Sequence, residues 1–352
     1  MRAQNFVHSL LIFFLGTILP GFTLAETDTR QKAIELLRSA GLNKELDAPV
    51  KVSADANGII FIEDQGNYFY QYLLLDHNES ADPNIIIDPN LKIPASCDKV
   101  VIITHGWLDK AIGDWPADIA EEISKKVDPN QWLCAIFDWR GGTGVANPFD
   151  AAKYANDVAG PRLAKTLLKI IPKLQHIHLI GHSAGCWTVH STAAAVAKQT
   201  DTQIHLTFLD AYIPPFWNQQ DIGKIEADNT IWAEHYYTKD ITLTSTQKDL
   251  SMAHNIDLSG IDIFFNEHEF PYRWYYATVA GKYRDKDWEK HDEVITKYKN
   301  LDYGYERSRE AGIENFKKSL TLKKGNEAVK MQPKKTKPLF DFKMFKSKKE
   351  QK

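Results

Sequence analysis

Four short runs of almost uninterrupted apolar residues constrain this chain more than anything else in it: VVIITHG (100–106), WLCAIFDW (132–139), HIHLIGHS (176–183) and IHLTFLDA (204–211). A strand with one wet face alternates apolar and polar residues; a strand covered on both faces does not need to. Between these runs lie helical patterns. DWPADIAEEISKKV starts on a capping Asp114 with Pro116 in the first turn, and repeats Ile119, Ile123 and Val127 every four residues. Residues 151–174 carry Val158, Leu163, Leu167 and Ile171, with Pro161 expected to kink or restart the helix. Buried strands alternating with helices predict an α/β fold: a mostly parallel, doubly wound sheet with helices on both faces. In such a sheet the chemistry gathers where the strands end.

Upstream, residues 26–42 read as a short helix stopped by Gly41. NGIIFIEDQGNYFYQYLLLD reads as two β-rich runs joined in a hairpin at Asp64–Asn67. The first 25 residues read as an export signal: Arg2, an apolar run from Phe6 to Leu19, and small residues Thr23 and Ala25 at the −3 and −1 positions of a cleavage site. The run is too short, and too broken by His8, Gly16 and Pro20, for a bilayer span of about 20 residues. Secretion or delivery to a periplasm is therefore expected. Residues 26–318 form the expected domain, and 319–352 a basic tail expected to be solvated. From Leu322 onward that tail has eleven lysines against Glu327, Asp341 and Glu350. Phe340, Phe342 and Phe345 within it also allow a peripheral contact with an anionic membrane surface. Nothing in the charge pattern points to nucleic acid.

Cys97, Cys134 and Cys186 are too few for a disulfide framework, although Cys97 and Cys134, both at strand starts, could be bridged if those strands are neighbours. No metal-ligand spacing appears, and no cofactor is expected.

The third apolar run leads straight into Gly-His-Ser-Ala-Gly and then WTVHSTAAAVAK. Strand, tight turn and helix in that order are what a nucleophile elbow requires, with Ser183 as the candidate nucleophile. The helix that follows points its N-terminus at the hydroxyl. A serine needs a base, and the expected order is Ser, acid, His. Asp210 closes one apolar run and His268 lies in a loop before an aromatic-rich helix start; Asp240, at the end of the next expected strand, is a rival acid. Two backbone amides could stabilise an oxyanion: that of Ala184 beside the serine, and that of Trp107 in the turn after VVIITHG. Gly106 would permit close approach there and His105 would brace the turn. Phe216, Trp217, Trp107 and the Tyr272–Tyr276 segment are candidates for an acyl site or for core.

KVVIITHGWLDKAIGDW, CAIFDWRGGTGV, HIHLIGHSAG and LTFLDAYIPPFW resemble, in order and spacing, the pancreatic-lipase-like family over roughly residues 95–220. The resemblance implies an α/β-hydrolase fold, an ester-hydrolysing activity on acyl lipids, Ser183, Asp210 and His268 as the triad, and Trp107 and Ala184 as oxyanion donors. A phospholipase A1-type enzyme or a lipid-binding relative without turnover are the alternatives. The chain departs from the family at Ala184, where Leu is usual, and at Ala211, where Pro is usual. It has no aspartate cluster like the family's calcium loop between Phe216 and Asp240, no cysteine-bounded lid and no segment resembling the family's second domain. The sparse cysteines and that last difference suggest a bacterial-type, single-domain member. The stretch 221–265, with IDLSGIDIFF in it, could serve as a smaller lid or pack inside.

Overall fold

A computed structural model describes residues 24–75, 83–215, 217–218, 221–225, 231–239, 246–260 and 268–284. It also describes short stretches at 292–294, 296–297, 304–305, 319–323 and 329–330. The expected export signal, apart from Leu24 and Ala25, lies outside the described residues, as do Asp240, Phe216 and residues 331–352.

The strands are β1 (Val50–Ala54), β2 (Ile60–Asp64), β3 (Ile85–Ile87), β4 (Lys99–Thr104), β5 (Trp132–Asp138), β6 (His176–His182), β7 (Gln203–Leu209), β8 (Ile231–Tyr237) and β9 (His254–Gly260). Short β10 (Lys282–Arg284), β11 (Asp292–Val294) and β12 (Thr296–Lys297) follow, then β13 (Ser319–Lys323) and β14 (Val329–Lys330). Ten of them form one sheet in the order β13-β9-β8-β7-β6-β4-β5-β2-β1-β3. All neighbours are parallel except β1 and β2. The four apolar runs are β4 to β7, the centre of the sheet. Alternate residues of each face opposite layers: Ile177 and Leu179 join one buried cluster, Ile180 the other.

The helices are α1 (Leu24–Ser39), α2 (Asn43–Leu46), α3 (Tyr68–Leu74), α4 (Trp115–Ser124), α5 (Arg140–Thr143), α6 (Pro148–Tyr154), α7 (Gly160–Ile170), α8 (Gly185–Ala197) and α9 (Phe270–Ala280). Residues of α6, α7 and α8 fill one cluster, and those of α4 and α9 the other, so both faces of the sheet are covered. The α/β architecture is therefore the one expected. Asp114 caps α4 through its carboxylate, and the break before Pro161 is a wide π-turn over Ala155–Ala159. Proline has no N–H to continue the α ladder, and the wider turn absorbs the fault.

Three expectations are corrected, and one that was left open is decided. The Asp64–Asn67 turn does not join a hairpin. Asn67 caps α3 by accepting from the Phe69 amide, while Asp64 accepts from Gly66 N–H and pairs with the buried Arg162. The hairpin is instead β1–β2, turned at Asp55–Gly58, where Gly58 has φ 81°. Cys97 and Cys134 are free thiols although β4 and β5 are neighbours. They belong to the clusters on opposite faces of the sheet, so the thiols cannot meet. The IDLSG part of the lid candidate is β9, a strand buried in the sheet, and residues 261–267 lie outside the described residues. Finally, Ser319–Lys323, assigned above to the tail, pairs with β9 as the edge strand.

Candidate active site

The strand order reverses between β4 and its neighbours, since β5 lies on one side and β6 on the other. A crevice opens at the carboxyl ends of strands at such a switch point. Ser183 follows β6 there, and Gly106–Trp107 follow β4.

Ser183 has φ 54°, a left-handed conformation that costs a non-glycine residue about 1–2 kcal/mol. Its amide donates to Leu209 O, and its carbonyl accepts from Cys186 and Tyr212. The glycines around it are dictated by contact. A Cβ on Gly185 would stand 2.2 Å from His105 O, and one on Gly106 would stand 2.9 Å from Ser183 Cβ. The β4 turn is thus packed against the elbow. The amides of Trp107 and Ala184 donate to no backbone carbonyl among the described turns and loops.

His105 braces this turn, as expected. Its Nδ1–H donates to Gly106 O at 2.9 Å, its Nε2 accepts from Trp139 N–H at 3.1 Å, and Trp139 Nε1–H donates to His105 O at 3.0 Å. Asp138, at the end of β5, had no role in the sequence reading. Its Oδ2 accepts from the amides of Ala111 and Ile112, and its Oδ1 from Arg140, which pins the segment after Trp107. Its position as the last residue of a buried strand was the available signal. Leu108, beside Trp107, has φ 57° and is 67% exposed.

Asp210 is fully buried and also left-handed, at φ 47°. Its amide donates to Tyr236 O. One carboxylate oxygen accepts from Thr238 N–H at 3.1 Å, and the other accepts from His268 Nδ1–H at 2.5 Å. Thr246 adds a side-chain hydrogen bond. Burial pushes the Asp210 carboxyl up to about 6 in spite of these partners. The structure therefore joins His268 to Asp210. Ala211, where the resembling family has Pro, uses its extra N–H to donate to His235 Nε2 at 3.2 Å.

His182 Nε2–H donates to the main-chain oxygen of His268 at 2.9 Å. Its ring meets those of Trp115 and Tyr272 edge-on, and these two stack on each other with centroids 4.4 Å apart. Burial holds His182 well below the usual histidine range, so the ring is neutral. No hydrogen bond joins Ser183 Oγ to the His268 ring among the described residues. Such contacts are often long without substrate, and a serine hydroxyl swings about one bond.

Trp107 is half-buried, its Nε1–H donating to Val145 O at 3.0 Å. Trp217 packs edge-on against Trp187, with Phe149 beyond it. Trp274 and Tyr275 are fully buried against Tyr236, so these α9 aromatics are core, not acyl-site lining.

The chain is distantly similar to lipases of the pancreatic type. It is 26% identical over 164 residues to the pancreatic triacylglycerol lipase of Sus scrofa, covering 45% of this chain and 34% of that protein. It is 26% identical over 162 residues to pancreatic lipase-related protein 2 of Homo sapiens, with 45% and 32% covered. Inactive pancreatic lipase-related protein 1 of Homo sapiens matches at 23% over 215 residues, with 60% and 42% covered. The chain thus spans about a third of the length of the first of these relatives. No family model matches it.

Proposed function

We propose that this chain is a serine hydrolase that cleaves carboxylic esters of acyl lipids through an acyl-enzyme on Ser183. The observation that carries the reading is the Asp210–His268 hydrogen bond, formed one strand away from a serine held at positive φ between two strand ends. Similarity to proteins named as triacylglycerol lipases supports the substrate class.

In this mechanism Ser183 Oγ attacks the ester carbonyl carbon while its proton passes to His268 Nε2. Asp210 keeps the ring proton on Nδ1 and offsets the charge of the imidazolium. The carbonyl oxygen becomes an oxyanion facing the amides of Trp107 and Ala184, each worth about 2.7–4 kcal/mol in the transition state. His268 returns the proton to the departing alcohol oxygen as the C–O bond breaks. Water, deprotonated by the same ring, then attacks the acyl-enzyme and releases the acid and Ser183. Trp107 and Trp217 supply apolar surface for the acyl chain, with Phe216 next in sequence. Export with cleavage after Ala25, and peripheral attachment of the basic tail to an anionic surface, belong to the same proposal. Amino-terminal sequencing and flotation with anionic vesicles test them.

Triolein emulsion, phosphatidylcholine vesicles and p-nitrophenyl butyrate, assayed side by side, test the substrate class. Hydrolysis of triolein is expected. Preference for the vesicles identifies a phospholipase A1-type enzyme. Binding without turnover on all three identifies a non-catalytic lipid binder, a reading favoured by the match to an inactive relative.

A further inference from the structure

Away from the elbow, the same sheet face carries a row of polar side chains where apolar ones would pack. His178 on β6, His205 and Thr207 on β7, and Glu234 and Tyr236 on β8 are all buried. His178 lies five residues before Ser183, about 16 Å along a strand at 3.3 Å per residue, so this group is separate from the elbow. A core has no need of two imidazoles and a carboxylate side by side, because each must find partners or forfeit solvation.

The three groups converge. A ring nitrogen of His178, one of His205 and a carboxylate oxygen of Glu234 all lie within 4.8 Å of one another. The cross-strand pair His178 and His205 stacks with centroids 3.6 Å apart and planes 7° from parallel. Glu234 is held by hydroxyls: Oε1 accepts from Thr207 at 2.7 Å and Oε2 from Tyr236 at 2.9 Å, while the Gly304 amide donates to the Tyr236 oxygen. Burial keeps both imidazoles well below their usual range, so they are neutral. His178 Nε2–H donates to the Thr207 oxygen at 2.9 Å and His205 Nε2–H to Glu234 Oε1 at 3.4 Å, so an ion bound through these nitrogens would replace both contacts, each ring proton moving to Nδ1.

A second observation points to an occupant. A cavity of about 350 Å³ reaches the pair from outside the sheet, lined by His176, His178, His205, Trp132 and Tyr305. His176, two residues before His178 and so on the same face, has a buried Nε2 with no hydrogen-bond partner.

We propose that His178, His205 and Glu234 bind one first-row transition-metal ion of the Zn²⁺ class, with the fourth position turned toward the cavity and His176. Two neutral imidazoles and a carboxylate are a donor set for such ions rather than for calcium, which takes oxygen alone. The Thr207 and Tyr236 hydroxyls orient the carboxylate from behind, as outer partners of metal ligands do. Zinc at 2.0–2.2 Å from its ligands needs donor atoms about 3.3 Å apart, so the stacked rings must splay by a turn about χ2. The ion would tie β6, β7 and β8 together near their starts.

The full chain, purified with chelator and then given ZnCl₂, tests this by metal analysis after gel filtration and by thermal unfolding. One zinc per chain and a higher unfolding temperature, reversed by chelator, are expected. In Glu234→Gln and His205→Gln the affinity should fall more than about 100-fold, beyond the 10–100-fold loss typical of outer partners. Undiminished retention in these variants, or no retention by the wild type, overturns the proposal. Should the variants not fold, long-range ¹H–¹⁵N imidazole spectra of the wild type decide. Ring nitrogens of His178 and His205 shift with one equivalent of Zn²⁺ if the site is real; unmoved signals refute it.

Discussion

The ring of His182 hydrogen-bonds the main-chain carbonyl of His268 at 2.9 Å, so the residue before the candidate nucleophile anchors the loop that carries the candidate base. Those two residues are 86 positions apart, and the sequence shows no link between them. His182→Phe keeps the aromatic packing on Trp115 and Tyr272 but removes the donor. The expected result is a kcat about 10-fold lower with KM little changed, in line with one hydrogen bond of about 1–1.5 kcal/mol. His182→Gln, which can still donate, should recover part of that loss. A purely packing role would give the opposite order, with Phe the better replacement.

Asp210 sets the pH response. Burial raises its carboxyl to about 6, so the pair it forms with His268 takes up a proton as pH falls through that range. Log(kcat/KM) should fall below about pH 6 and level off above it. The sign for stability is the reverse of the usual carboxylate. The folded state binds the proton more tightly than the unfolded chain, so this residue opposes folding above pH 6, and the penalty fades as pH falls from 6 toward 4. Asp210→Asn should therefore lose roughly 10³–10⁴-fold in kcat, with no loss of stability to urea at pH 8. A large stability loss there would contradict the assignment.

The centre of the sheet was legible because covered strands leave unbroken apolar runs, and Asp114 and Pro161 marked α4 and the π-turn at the expected places. Ser183, Gly106 and Asp210 were legible as types at strand ends, and His268 as a loop histidine before a helix start; the bond between Asp210 and His268 was not, since spacing alone left Asp240 open. The errors share a cause. Tyr68–Leu74 has the residues of a strand, but Asn67 caps it as a helix and Gln71 within it accepts from the buried Arg162, 91 positions away. Whether Cys97 and Cys134 meet depends on which face each occupies, a matter of register. The bracing by Asp138 is a tertiary contact to two main-chain amides: its place at a strand end marks the residue but not its partners.

Strain at the elbow is measurable. Ser183→Ala and Ser183→Gly both remove the hydroxyl, but only Gly adopts φ 54° freely. Urea unfolding should show the Gly variant more stable than the Ala variant by about 1 kcal/mol. Equal stability, or a more stable Ala variant, would mean that the elbow is not strained.

Gly106→Ala tests the close approach of the two turns. The added methyl would sit 2.9 Å from Ser183 Cβ and 3.1 Å from His182 O, so the β4 turn must move away. Displacing the Trp107 amide should lower kcat roughly 10²–10³-fold, the effect of losing one oxyanion donor. Circular dichroism and the urea midpoint should show a folded protein. Full activity would remove Trp107 from the mechanism.

The proposed catalysis requires a reactive hydroxyl at one position, and a fluorophosphonate with peptide mapping by mass spectrometry interrogates it directly. The expected outcome is a single adduct on Ser183, absent in Ser183→Ala and formed at least about 10³-fold more slowly in His268→Ala. A folded wild-type protein that takes up no label, or carries it on another residue, would contradict the account.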